Sequence, residues 1–248
     1  MLIVGIIPAR YESSRFPGKP LADIHGKPMI QHVYERARKT PRLDRLVVAT
    51  DDERIFRTVE GFGGEAVMTG SHHPSGTDRL AEAAVKLGLS ERDIVVNIQG
   101  DEPLVAPEMI HGLIEALVGA DDSPMATLAF ESRNRDEYLN PNVVKVVVDR
   151  QGKALYFSRS PLPFCRDGGN EPVPFLKHLG FYAYRDGFLQ EFTKLPPGAL
   201  ENMEKLEQLR AMEHGHTIRV ALSPMETLGV DTPEDLEQVL KSSAILKS

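Results

Sequence analysis

The chain has 248 residues, 41% hydrophobic and 26% charged, with a formal net charge of −7. That length can bury a full core, and the acidic balance argues against a nucleic-acid binder, which carries a basic face. One cysteine, Cys165, excludes an internal disulfide and fits a reducing cytoplasm; no apolar run is long enough to span a membrane, and the opening residues do not read as a signal peptide.

The first half alternates strand-length apolar runs with helical patterns. "LIVGIIPA" reads as a strand buried on both faces. "PMIQHVYERARKT" predicts a helix with Met29, Ile30, Val33, Tyr34 and Ala37 on one side and Pro28 in its first turn. "RLVVATD" is the next strand. "ERIFRTVEGFG" is a helix with Ile55, Val59 and Phe62 inward, closed by glycines. "EAVMT" is a short strand, "SGTDRLAEAAVKLG" a helix, "DIVVNIQGD" a strand and "PEMIHGLIEALVGA" a helix. This order predicts an α/β fold, a mostly parallel central sheet with helices on both faces.

The second half is richer in strands. "MATLAF", "VVKVVVD", "ALYFSRS" and "HLGFYAYR" read as strands, with a hairpin turn at Asp149–Gly152 where Gly152 can adopt positive φ. Helices follow at "RDGFLQEFTKL" and, as one continuous segment, "ENMEKLEQLRAMEHG". Then come the strand "TIRVAL", a short extended segment "LGVD" and a last helix "TPEDLEQVLKSSA", with Thr232 as N-cap, Pro233 first and Asp235 as the reciprocal acid. The expectation is one domain over 1–248 with an antiparallel insertion at about 130–185.

Ligands of open parallel sheets bind beyond the carboxyl ends of the strands. Three polar clusters fall there: the loop "RYESSRFPGKPL", the stretch "NIQGDEP" and the stretch "GVDTPED". The loop is neither of the glycine-rich dinucleotide and P-loop signatures. Arg10, Arg15 and Lys19 read either as a phosphate clamp or as a solvated basic loop. Asp101 reads as a Mg²⁺ ligand or as a turn former before Pro103. Asp231 reads as a second ligand or as a helix-terminus charge beside Thr232. Neither "HHP" at His72–His73 nor "HGH" at His214–His216 has the further ligands that zinc needs.

"IIPARYESSRFPGKPL" resembles the opening motif of cytidylyltransferases that activate acidic sugars. With "SGTDRLAE", "VNIQGDEP", "NPNVVKVV", "ALYFSRSPLPF", "KHLGFYAYR", "EKLEQLRAMEHG" and "GVDTPEDLE", the chain resembles the 3-deoxy-manno-octulosonate cytidylyltransferase (CMP-Kdo synthetase) family nearly end to end. The resemblance implies attack by the anomeric hydroxyl of Kdo on the α-phosphorus of CTP, giving CMP-Kdo and pyrophosphate for lipopolysaccharide synthesis. It implies Arg10, Lys19, Asp101 and Asp231 as catalytic residues, with Mg²⁺ on the two aspartates. It implies a nucleotide site of Ala9, Arg10, Arg15, Lys19, Ser75, Arg79 and Gln99. Ser75 and Thr77 equally read as helix caps. The implied sugar site is Arg159, His178, Tyr182, Glu207 and Gln208. His178 otherwise reads as a satisfied buried histidine, and the last two as the polar face of an amphipathic helix. A cytoplasmic homodimer, paired through the inserted region, is also implied. The alternatives are a cytidylyltransferase for 8-amino-Kdo or a sialic acid, and a non-catalytic nucleotide-binding module.

Overall fold

Where apolar residues run without interruption the backbone can be buried only in a strand or helix that satisfies its own hydrogen bonds. The computed structural model describes residues 1–12, 15–166 and 173–242. Ser13 and Ser14 of the opening loop, and part of the expected insertion, lie outside these residues. In chain order come β1 (Ile3–Ala9), the two-residue strands β2 (Asp23–Ile24) and β3 (Lys27–Pro28), α1 (Met29–Ala37), β4 (Arg45–Thr50), α2 (Glu53–Gly61), β5 (Ala66–Met68), α3 (Gly76–Lys86), β6 (Ile94–Asn97) and α4 (Pro107–Val118). Next are β7 (Met125–Ser132), α5 (Arg135–Leu139), β8 (Lys145–Val148), β9 (Ala154–Ser158) and β10 (Phe175–Arg185). The chain continues through α6 (Asp186–Phe192), α7 (Ala199–Glu204), α8 (Gln208–Glu213), β11 (Ile218–Leu222) and α9 (Pro233–Lys241). The fold is α/β with a mostly parallel central sheet and helices around it, as the alternation implied.

Two compact units divide the chain. The first comprises Met1–His111, Arg185–Thr193 and the described residues from Thr227 on; the second comprises Gly112–Tyr184 and Lys194–Glu226. In the first, β6, β1, β4 and β5 lie side by side in that order, all parallel. Val4, Ile6, Ile7, Val47, Val48, Val95 and Val96 are all buried there, which is why these strands read as unbroken apolar runs. Each such side chain contributes about 1.5–3 kcal/mol on burial. Parallel pairing brings Ala9 beside Thr50 and Ile6 beside Asn97, so the loops after β1, β4 and β6 leave the same edge. Gly100 sits where a Cβ would lie 2.8 Å from the Pro8 carbonyl oxygen, so only glycine lets these two loops approach so closely.

The chain from Thr227 on is held in the first unit by a separate apolar cluster. Val230 and Val239 bury against Ile24 and Met29, with Phe16, Leu228, Leu236 and Leu240 packed around them. α9 starts as expected: Thr232 accepts from the Asp235 amide, and Asp235 accepts from the amides of Asp231 and Thr232, each at 2.9 Å. In the second unit, β10 pairs antiparallel with β7 and β8, β8 pairs antiparallel with β9, and β11 runs parallel to β7. The β8–β9 turn closes at Gly152, with φ of 79°.

The structure corrects several expectations. The segment read as one helix from Glu201 onward is broken: α7 ends at Glu204, Lys205 has φ of 53°, and α8 starts at Gln208. The break turns the Glu204 and Lys205 carbonyls toward Arg159, whose guanidinium donates to them at 2.7 and 3.4 Å. Phe62 is only half-buried: α2 ends at Gly61, and the ring packs on the buried Tyr34, centroids 5.5 Å apart. Pro28 is the N-cap of α1, one residue before its first turn. Thr77 lies inside α3, which is capped by Ser75 alone. Residues 227–231 form no strand; a single backbone bond, from the Val230 amide to the Asp101 carbonyl at 2.8 Å, brings the two acidic segments together.

Candidate active site

At the carboxyl edge of the parallel strands in the first unit lies a cavity of about 250 Å³. Its lining contains every residue expected to touch the nucleotide or the metal: Ala9, Arg10, Arg15, Lys19, Ser75, Arg79, Gln99, Asp101 and Asp231, together with Pro8, His73, Gly76 and Gly100. Ala9 ends β1, and Arg10 begins the loop beyond it.

Lys19 is presented by a single 3-10 turn over Lys19–Leu21, entered through Gly18 at φ of 72°. The Gly18 amide donates to the Tyr11 carbonyl at 2.8 Å, and the Tyr11 ring lies over Gly18, 3.1 Å from where a Cβ would be. The Arg54 guanidinium stacks on the same ring at 3.3 Å and is held in turn by Asp52. Lys19 is largely buried, and its Nζ donates to Asp101 Oδ2 at 2.8 Å and Asp231 Oδ1 at 3.2 Å. Arg15 reaches Asp231 Oδ2 at 3.1 Å. Two acids 130 positions apart in the sequence therefore share one ammonium group.

Arg79 is buried, with a guanidinium that donates to Thr69 Oγ1 at 2.5 Å and the Gly70 carbonyl at 3.4 Å, and pairs with Asp51 Oδ2 at 3.3 Å. The other Asp51 oxygen is buried and has no hydrogen-bond partner among the described residues. Ser75 caps α3 through the Asp78 amide at 3.2 Å, as one of its two readings expected, and lines the cavity as well.

The five sugar-side candidates all fall in the second unit. Arg159 follows β9 directly; its Nε donates to the Glu204 carbonyl, and Nη1 to the Pro141 carbonyl at 3.0 Å. Beneath it Lys145 is fully buried, donating to the carbonyls of Asn140, Val143 and Arg159 at 2.7–2.9 Å. Burial lowers the pKa of that ammonium. β10 carries His178 and Tyr182 on either side of a bulge containing Gly180 at φ of 70°, with ring centroids 5.5 Å apart. The Thr127 hydroxyl donates to the Phe181 carbonyl at 2.7 Å, so its lone pair faces His178 Nε2 at 2.9 Å. Burial pushes the His178 pKa down to about 4, so the ring is neutral near pH 7. Nε2 then carries the proton, and Nδ1 offers a lone pair. Burial first, then Tyr184 and Glu207, raise the Tyr182 hydroxyl well above its usual range. Glu207 precedes α8, within 3.8 Å of Arg210. Gln208 is buried, and its Nε2 has no hydrogen-bond partner among the described residues.

What sequence reasoning missed is His73 as a cavity wall and Glu82 behind it. The two histidines in "HHP" suggested only a metal question; the acid nine residues on, one helical turn past Arg79, was the signal.

A model of the cytidylyltransferase family matches residues 4–218. This chain belongs to the cytidylyltransferase family. The likeness to 3-deoxy-manno-octulosonate cytidylyltransferases noted in the sequence extends over nearly the whole chain. It is 68% identical over 240 residues to the one from Syntrophobacter fumaroxidans, covering 97% of this chain and 96% of that protein. It is 55% identical to the 8-amino-3,8-dideoxy-manno-octulosonate cytidylyltransferase of Shewanella piezotolerans, covering 95% and 96%. Among solved structures, a CMP:2-keto-3-deoxy-manno-octonic acid synthetase complexed with CTP matches with a TM-score of 0.92 and 47% identity over 98% of this chain and 99% of that one. As a cytidylyltransferase, the chain is an enzyme of nucleotidyl transfer.

Proposed function

We propose that this cytidylyltransferase activates Kdo: the anomeric hydroxyl attacks the α-phosphorus of CTP, pyrophosphate leaves, and CMP-Kdo forms. The reading is carried by the 68% identity over almost the full chain to a protein of that activity. The cavity chemistry agrees with it. Phosphoryl and nucleotidyl transfer need positioning and charge stabilisation more than covalent help. Arg10, Arg15 and Lys19 on one cavity wall supply cations for a triphosphate, by fork or by point charge. Ala9, Ser75, Arg79 and Gln99 line the remainder, where the nucleoside rests.

For Mg²⁺ the test is the donor set. Asp101 and Asp231 meet within reach of one ammonium group, so the point already favours a cation. No group of three or more His, Cys, Asp or Glu forms a metal cluster among the described residues. Two carboxylates completed by water and substrate phosphates are the set that Mg²⁺ takes, so the residues fit. Asp101 and Asp231 would hold the ion, which when bound offsets triphosphate charge and makes the attacking hydroxyl more acidic. Lys19 orients the phosphates, and Tyr11 with Gly18 fixes the loop that carries it.

On the sugar side, Arg159 supplies a cation for the acid group. His178 Nδ1 accepts from a hydroxyl, Tyr182 donates, and the Gln208 amide is a buried donor awaiting a partner. The protein works as a cytoplasmic homodimer in this reading. The single free Cys165 fits a reducing compartment. A second copy would cover the apolar groove of about 540 Å³ lined by Val146, Val147, Val148, Phe175 and Leu176.

Pyrophosphate release with CTP, Mg²⁺ and Kdo tests the function. Release with Kdo and none without it is expected; CTP binding without release would mark a non-catalytic module. The 55% identity to an 8-amino-Kdo enzyme gives the second reading its basis. The ratio of kcat/KM for the two sugars separates them, with Kdo expected to be preferred. Light scattering is expected to give twice the 27.5 kDa chain mass.

A further inference from the structure

Behind the nucleotide cavity, α3 holds the loop that precedes it through an acid that does not itself line the cavity. Arg79 binds Thr69 and the Gly70 carbonyl, and one turn later Glu82 binds the same loop from the other side. Glu82 Oε2 accepts from the Gly70 amide at 2.8 Å and pairs with His73 Nε2. Its second oxygen takes Lys86 Nζ at 2.8 Å. The His73 side chain is 10% exposed, and its ring packs at a tilt against His72, centroids 4.7 Å apart. A Cβ at Gly70 would lie 2.5 Å from the His72 ring, so that ring sits close over the Gly70 backbone. Burial alone would raise the Glu82 carboxyl, but the bonds from Lys86, Gly70 and His73 outweigh it and hold the pKa at about 2. The acid is therefore ionised at any working pH. His73 and Pro74 belong to the cavity lining beside Ser75.

We propose that Glu82 is a positioning residue for the nucleotide: by gripping the Gly70 amide and the His73 ring it fixes the His73–Pro74 wall of the cavity in which CTP packs. This rests on the cytidylyltransferase reading. Glu82 touches no substrate and acts only through the loop. Such a role affects nucleotide binding and leaves turnover of the bound complex alone, whereas a general loss of α3 would lower every parameter together.

The test is calorimetric titration of CTP into the full chain, with steady-state kinetics alongside. E82Q should raise the CTP Kd and KM about tenfold, the effect of losing a charge-assisted hydrogen bond. Its kcat and its KM for Kdo should stay within about twofold. H73L should do the same, and the E82Q/H73L double variant should add little to either single change, because both remove one interaction. K86M removes Glu82's partner on the same helix together with a bond to the Met68 carbonyl at 2.7 Å, while leaving the Gly70 and His73 contacts in place, and should leave CTP binding unchanged. Wild-type affinity in E82Q, or an equal loss in K86M, overturns the inference while the function stands. Absence of CTP binding by the wild-type chain overturns both.

Discussion

Around Lys19 the side chains carry full charges and keep contact with water: Asp101 is 31% exposed, Asp231 49%, and Arg15 more still. Around His178 the ring itself is neutral at pH 7 and its polar contact is one hydrogen bond, to Thr127, with the Tyr182 ring beside it. The difference matches the two proposed substrates. A triphosphate with its metal carries charges that exchange freely between protein, ion and solvent, so the pocket for it stays wet. A sugar is distinguished by hydroxyl positions, and a site with few, fixed donors and acceptors discriminates best, because an unmet partner there is costly.

Changes that break the charged side should have the largest effects. Asp101→Asn keeps the shape and removes one charge; kcat/KM is expected to fall about 10²–10³-fold, the range for losing one preorganised electrostatic group. Steady-state pyrophosphate release measures it. Lys19→Met should cost about 10²-fold and raise the KM for CTP more than that for Kdo. On the sugar side, Arg159→Lys should raise the KM for Kdo about tenfold while the CTP KM holds, since the guanidinium fork and its bonds to Pro141 and Glu204 are lost.

A pH series sharpens the contrast. His178 has a folded pKa of about 4 against 6.5 unfolded. Between those values the unfolded chain takes up a proton that the folded chain refuses. Stability should therefore fall as pH drops from 6.5 toward 4 and stop changing from this source below it. Thermal midpoints of His178→Phe should show a shallower acid slope over that window; identical slopes would count against a buried neutral ring. The smallest effect is expected at Gly18→Ala. Its φ of 72° and the Tyr11 ring at 3.1 Å make a methyl group strained, by about 1 kcal/mol. Urea unfolding measures this.

Legibility followed the range of the forces involved. β1 and β6 announce themselves because burial on both faces demands unbroken apolar runs, and α9 does so because its capping box is local. The charged pocket was readable in part because Arg10 and Asp101 come soon after the ends of those strands, whereas Asp231 follows no strand and is brought in by the bond from the Val230 amide to the Asp101 carbonyl. The break at Lys205 was not readable. "EKLEQL" is good helix throughout, and what interrupts it is Arg159, 46 positions earlier, claiming two carbonyls. Glu82 was hidden for a similar reason: with Lys86 it looks like an ordinary solvated pair, and only the fold brings Gly70 and His73 to it. Long-range partners leave no periodicity in the sequence.

The central claim is that Asp101 and Asp231 form one cation point facing the phosphate-binding Lys19. A crystal structure of the chain with CTP and Mg²⁺ tests it most directly. The account predicts the ion on both carboxylates, with the Lys19 ammonium turned to the triphosphate. An ion bound away from Asp101 and Asp231, or a triphosphate that leaves Lys19 locked between them, would contradict it.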